Sequence, residues 1–175
     1  ISDKTVSFLR RAQSFKLGRI ADIDVNTALV RTISEYGREA DPAGLSSAVK
    51  EISGFPFLMQ LIGYRAWDIS PTSNSISASD FQQGIQVARE EMESRILEAT
   101  YRELSSEDIR FLNAMLVDEE DSSIADITKR LNRSSSQVAQ YRRRLIDAGV
   151  IGERKRGVVG FDLPYFRDYL INMTC

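Results

Sequence analysis

The sequence predicts a mainly α fold that closes with a small β-hairpin. Two observations carry this expectation. Apolar residues recur at helical spacing through most of the 175 residues, with capping residues and prolines where the periodic segments begin. Near the carboxy-terminal end, Val150 to Glu153 and Val158 to Leu163 read instead as two strands around Arg154-Lys155-Arg156-Gly157, a glycine-containing turn. The composition, 42% hydrophobic and 27% charged, is that of a globular protein and excludes disordered, collagen-like and rod-like classes.

In chain order, Asp3 to Gln13 predicts a short helix on Val6, Phe8 and Leu9, and Phe15 to Ile20 alternates like a strand. Asp24 is placed to cap a helix whose Val25, Ala28, Leu29, Thr32, Ile33 and Tyr36 share one face. Asp41, with Pro42 at the first helical position, opens a second helix on Leu45, Ala48, Val49 and Ile52, and Gly54 stops it. Pro56 suits the first turn of a third, whose Phe57, Leu58, Leu61, Ile62 and Trp67 predict a well-covered helix. Ile69 to Ala78, with one proline and five serines or threonines, reads as a loop. Ser79 then caps a long helix reaching about Arg102, with Phe81, Ile85, Ala88, Met92, Ile96 and Ala99 on one stripe.

Ser105 or Ser106 caps the next helix, with Ile109, Leu112, Met115 and Leu116 as buried positions. An acidic turn leads to a helix over Ile124 to Leu131 capped by Ser123, and a short connection, Asn132 to Ser134, leads to another. That helix opens with a Ser134 to Gln137 capping box, turns Val138, Tyr141, Leu145 and Ile146 inward and ends at Gly149. Pro164 bars the second strand from continuing, and Tyr165 to Asn172 predicts a closing helix on Phe166, Tyr169 and Leu170.

The net charge of −2 hides a segregation. Glu90 to Asp126 carries 12 acidic residues against three arginines, whereas Lys129 to Arg156 carries nine basic residues against two acidic ones. Two readings follow: a surface for a polyanion, or neighbouring faces that neutralise each other. Other classes are excluded directly. With no histidine and a single cysteine, Cys175, the chain has no internal disulfide, no common zinc site and no Ser-His-Asp catalysis. No apolar stretch approaches the roughly 20 residues that cross a bilayer, so no membrane is expected and a cytoplasmic location is. Opening on Ile1, the chain is expected to be a fragment of something longer. Among its glycines, only Gly152 and Gly157 have phosphate-loop spacing, and Val158 stands where lysine is required. No metal-binding cluster, cofactor or catalytic residue is expected in these residues, and no enzyme activity of their own.

Ser134 to Ile151, with its serine-rich start, arginine-rich middle and Ala-Gly end followed by a basic hairpin, resembles the recognition-helix segment of the winged helix-turn-helix family. The resemblance implies a helix that enters the major groove of double-stranded DNA. Ser135, Ser136, Gln137 and Gln140 would face base edges, Arg143 and Arg144 the phosphates, and Arg154, Lys155 and Arg156 an adjacent groove or the backbone. About four to six of these cations would meet phosphates. Winged helices also dock on proteins, so a protein partner on the same surface is the other expectation.

Ser53 to Gly63 brackets the start of an apolar helix with Gly54 and Pro56, which by itself is a helix stop followed by a helix start. Together with the preceding helices it resembles the lid of AAA+-related ATPases, in particular the bacterial and archaeal STAND-like group close to origin-recognition ATPases. Those proteins follow a nucleotide-binding core with a helical lid carrying a Gly-x-Pro motif, then a winged helix. The resemblance implies a core remnant at 1–19, a helical lid-like bundle at 20–103 and a winged helix at 104–175. It places Gly54, Pro56 and Phe57 beside adenine in the full-length protein, with ATP and Mg as that protein's cofactors and the missing amino-terminal core as a partner. Arg10 or Arg11 would sense phosphate, and Arg65 would act in the lid. The implied function is a regulatory fragment whose lid senses nucleotide and whose winged helix binds DNA. The alternatives are a winged-helix transcription regulator and a winged-helix protein-docking module.

Overall fold

Ser77 and Asp80 exchange hydrogen bonds at the start of the helix that runs through the middle of the chain: the Asp80 carboxylate accepts from the Ser77 amide at 2.7 Å and its hydroxyl at 2.8 Å. The computed structural model describes residues 18–174, and among these the chain is mainly α with a small antiparallel sheet. It divides into two units, 1–85 and 86–175, with the division inside that same helix. The predicted helix over Asp3 to Gln13 lies outside the described residues, as does the first half of the predicted strand; residues 18–20 are irregular.

In the first unit, α1 (Asp22–Glu35) begins without a side-chain cap instead of at Asp24. Asp22 and Asp24 occupy its first turn, where negative charge meets the positive end of the helix dipole. Val25, Leu29 and Ile33 are buried, while Ala28 is half-buried and Tyr36 is 74% exposed, so the core stripe is narrower than predicted. β1 (Glu39–Ala40) follows. In α2 (Pro42–Ile52), Asp41 accepts from the amides of Ala43 and Gly44, and Leu45, Ala48, Val49 and Ile52 are buried as expected. α3 (Pro56–Ile69) buries Leu58, Ile62 and Ala66 but leaves Phe57 exposed and Leu61 and Trp67 half-buried.

The segment expected to be loop contains β2 (Ser75–Ile76), which pairs in parallel with β1, Glu39 opposite Ser75 and Ala40 opposite Ile76. A two-residue strand shows no alternation to read. Arg38 fastens this corner: its buried guanidinium donates to the carbonyls of Trp67, Ser70 and Ser75 and lies over the Trp67 ring at 4.3 Å.

The middle helix, α4 (Ala78–Met92), is capped by Ser77 and not by Ser79. In the second unit the predicted uninterrupted helix becomes the end of α4, a five-residue π-helical stretch (Glu93–Leu97) and α5 (Glu98–Glu103). The wider turn changes the facing of side chains: Leu97 is buried and the predicted core residue Ala99 is exposed. α6 (Ser106–Met115) starts at a Ser105 to Asp108 capping box and buries Phe111, Leu112, Ala114 and Met115, with Ile109 and Leu116 half-buried. After β3 (Ser122–Ser123) come α7 (Ile124–Leu131), α8 (Ser135–Asp147), β4 (Ile151–Lys155), β5 (Val158–Phe161) and α9 (Phe166–Thr174).

The sheet order is β3-β5-β4, antiparallel throughout, with Ser122 opposite Val159 and Ile151 opposite Phe161. The hairpin was legible; its third strand, β3, was not. Phe111, Leu112, Met115, Ile127, Val138, Leu145, Val150, Ile151, Val159 and Phe166 are all buried in this second unit.

Candidate nucleic-acid interface

α8 begins where Ser134 and Gln137 close a capping box, so the Gln137 carboxamide oxygen accepts from the Ser134 amide and hydroxyl at 3.2 and 3.0 Å. Val138 and Leu145 anchor the inner face, at 0% and 1% exposure, and Tyr141 is half-buried. Ser135, Ser136, Gln140 and Arg143 are thereby left exposed. Arg143 makes only a long, exposed pair with Asp147 at 3.9 Å. Arg144 is turned toward α6: it donates to Asp108 at 2.7 Å and to the Ser105 hydroxyl at 3.2 Å, and lies over the Tyr141 ring. A shallow recess on the outside of α8 is lined by Ala139, Gln140, Arg142, Arg143 and Ile146.

At the hairpin, Arg154 is engaged by its own unit. It donates to Asp162 at 2.7 Å and to the Phe161 carbonyl at 2.8 Å, and pairs with Asp121 at 3.4 Å. The cross-strand glycines Gly152 and Gly160 make room for this cluster: a Cβ at Gly152 would sit 1.9 Å from an Asp162 oxygen, and one at Gly160 would sit 2.1 Å from an Asp121 oxygen. Lys155 and Arg156, at the turn, are exposed and have no ion pair among the described residues. Gly157 supplies the positive φ of 78° that the turn needs.

Two further arginines are held by the acidic run. Arg130 grips Asp118 with both terminal nitrogens, at 2.6 and 2.7 Å, and Arg133 grips Glu107 at 3.1 and 3.3 Å. The Arg130 hydrogen bond, aided by one from Ser122, holds the Asp118 carboxyl at a pKa of about 2. Arg133 likewise lowers Glu107. Of the two charge readings, neutralisation thus accounts for Arg130, Arg133, Arg144 and Arg154. Arg142, Arg143, Lys155 and Arg156 remain outside those pairings.

In the first unit, the Gly54-Pro56-Phe57 motif sits where α2 turns into α3. Ser53 and Gly54 adopt positive φ, 47° and 74°. A Cβ on Gly54 would lie 2.5 Å from the Ile20 carbonyl oxygen, and the Gly54 carbonyl accepts from the Ile20 amide at 2.8 Å. Close approach at Gly54 therefore serves the chain's own residues 19–20, whose Arg19 also lies over Phe55 at 4.4 Å. Pro56 is half-buried and Phe57 is 51% exposed. Arg65 lies over Tyr64 at 4.9 Å and 3.9 Å from Asp68. Arg10 and Arg11 lie outside the described residues.

Residues 94–170 match the family model described as Domain of unknown function (DUF8462). No curated protein matches the chain. Among solved structures, the chain is similar to Thermotoga maritima RuvB, described as a Holliday junction branch migration motor, at 16% identity and a TM-score of 0.41, over 85% of this chain and 49% of that one. A substituted form of the same protein aligns at 15% identity and a TM-score of 0.40, over 86% of this chain and 49% of that one. The chain spans about half the length of these proteins.

Sequence reasoning offered neutralisation as one of two readings but missed which carboxylate pairs with which cation. Glu107, Asp108, Asp118, Asp121 and Asp162 decide which cations stay outward; the acidic run preceding the basic one was the signal for the first four, and Asp162, beyond the hairpin, had none. Among the described residues there is no group of three acidic or thiol side chains placed to hold a metal, and no helix long and apolar enough to cross a membrane.

Proposed function

We propose that this chain is the regulatory part of an AAA+/STAND-like ATP-binding protein, and that its second unit acts as a winged helix on double-stranded DNA. The observation that carries the DNA reading is the joint exposure of Ser135, Ser136, Gln140 and Arg143 on α8 with Lys155 and Arg156 at the hairpin turn. The polar residues suit base edges, and Lys155, Arg156 and the loosely held Arg143 suit phosphates. In the first unit, the exposed Phe57 beside Pro56 offers a flat apolar edge to an adenine held by a nucleotide-binding core, with ATP and Mg bound by that core. Gly54 supports the motif by shaping the turn rather than by touching the base.

The test is a gel shift with duplex DNA at low salt. Retarded duplex that is lost in Lys155→Glu/Arg156→Glu supports the reading; no shift by the unsubstituted chain overturns it. A second reading, docking on an acidic protein segment, is favoured by one observation: the recess on α8 mixes Ala139 and Ile146 with Arg142 and Arg143. Binding of an acidic amphipathic peptide without binding of DNA would select it.

A further inference from the structure

Val117, 70% exposed, opens the acidic turn that follows α6. Of the four acidic residues after it, Asp118 is taken by Arg130 and Asp121 by Arg154. Glu119 and Glu120, between them, are exposed and have no ion pair among the described residues. The backbone around the valine is held from two sides. The Arg167 guanidinium donates to the carbonyls that flank it, those of Leu116 at 3.4 Å and Asp118 at 3.0 Å. Arg130 donates to the Ala114 carbonyl at 2.8 Å while it grips the Asp118 carboxylate. A stiff β-branched side chain is thus presented outward on a braced turn, so little has to be ordered when a partner meets it.

The recess on α8 has the complementary character. Ala139, Arg142, Arg143 and Ile146 stand at i, i+3, i+4 and i+7, on one side of the helix. The short Ala139 side chain leaves room among longer neighbours, and with Ile146 it supplies the apolar contact. Arg142 has no ion pair among the described residues, and Arg143 has only its long, exposed contact with Asp147. An apolar side chain followed within three residues by two uncommitted carboxylates matches this recess in both apolar contact and sign of charge. Val117 to Glu120 is such a segment. All the residues that line the recess belong to α8, so the turn of the same chain does not fill it. A second copy can.

We propose that this chain associates with a second copy of itself, Val117 of one copy seated in the α8 recess of the other and Glu119 and Glu120 facing Arg142 and Arg143. The inference rests on the docking reading of that recess and names its partner. The test is sedimentation equilibrium of the 175-residue chain at rising concentration and low salt. An average mass that climbs above the monomer, and climbs less at high salt, is expected. Glu119→Arg/Glu120→Arg makes both surfaces cationic, and Arg142→Glu/Arg143→Glu makes both anionic. Each variant alone is expected to associate more weakly by about tenfold or more. An equimolar mixture of the two is expected to restore association, because every turn then meets a recess of opposite sign. Val117→Ser removes the apolar contact without changing charge and is expected to weaken association as well. Circular dichroism verifies that each variant is folded. A monomer at every concentration, undiminished association in either charge variant or in Val117→Ser, or folded variants whose mixture stays monomeric overturns the proposal. A chain that stays monomeric yet binds an acidic amphipathic peptide leaves the docking reading standing and removes this inference alone.

Discussion

Arg144 on α8 donates to Asp108 on α6 at 2.7 Å, and Asp108 is also the residue whose carboxylate closes the capping box on Ser105. A single nearly buried carboxylate thus starts one helix and fastens the outer end of another. Asp108→Ala removes the cap interaction and the partner of Arg144 together, with an expected loss of about 2 kcal/mol. Arg144→Ala leaves the cap intact and removes a half-exposed pair, with an expected loss of about 1 kcal/mol or less. Urea unfolding of the two variants checks this; equal losses would mean that Asp108 does not serve both helices.

Under the proposed DNA reading, the same pairing sets the salt response. With Arg144 and Arg154 engaged internally and Arg142 half-buried, three exposed cations, Arg143, Lys155 and Arg156, are left for phosphates, so log affinity against log salt should have a slope of about −3. Arg156→Ala should reduce that slope by about one unit, and Arg144→Ala should leave it unchanged. Fluorescence anisotropy with a labelled duplex across a salt series measures both.

Acid stability follows from Asp118. Its folded pKa of about 2 lies below the ordinary 3.8, so the Arg130 pairing contributes fully above 3.8 and fades as pH falls toward about 2. Glu107, lowered by Arg133, fades in the same direction below its ordinary 4.5. Asp118→Asn should melt earlier than the unsubstituted chain at neutral pH, and the gap should close as pH falls through that window. Thermal melts at stepped pH read it; a constant gap would contradict the assignment.

Gly54→Ala places a methyl 2.5 Å from the Ile20 carbonyl at a φ of 74°, where an L side chain is strained. The expected cost to the first unit is about 1–3 kcal/mol. Gly37→Ala, at a φ of 73° but with nothing within 4 Å, should cost less, and the difference isolates the close approach from the backbone strain. Chemical unfolding of the two variants measures it.

Helices with strong caps and regular stripes were legible. Asp41 with Pro42, Ser134 with Gln137, and Gly149 each carry their signal within a few residues, and all three act as read. The hairpin was legible because Gly157 sits between two apolar runs. What was missed depends on distant residues. β1, β2 and β3 have two residues each and exist only through their pairing. Ser79 was read as the cap because it precedes Asp80, but the carboxylate of Asp80 reaches back to Ser77. At the interface, sequence identified the cations; which of them face outward depends on carboxylates 26 to 36 residues away for Arg133 and Arg144. Composition gave the presence of those carboxylates without their partners.

The wide turn at Glu93–Leu97 has an effect on tolerance to insertions and deletions. One residue in an α-helix corresponds to about 100° of rotation. Five π-helical residues turn the chain about as far as four α-helical ones, so deleting a single residue there would restore ordinary winding and leave α5 close to its present facing. Tyr101 would then keep its place at the edge of Tyr169, which it now meets at 5.9 Å. A frame-preserving one-codon loss in this stretch should therefore damage the second unit less than the same loss in the regular turns of α5, where each residue removed rotates everything after it by about 100°.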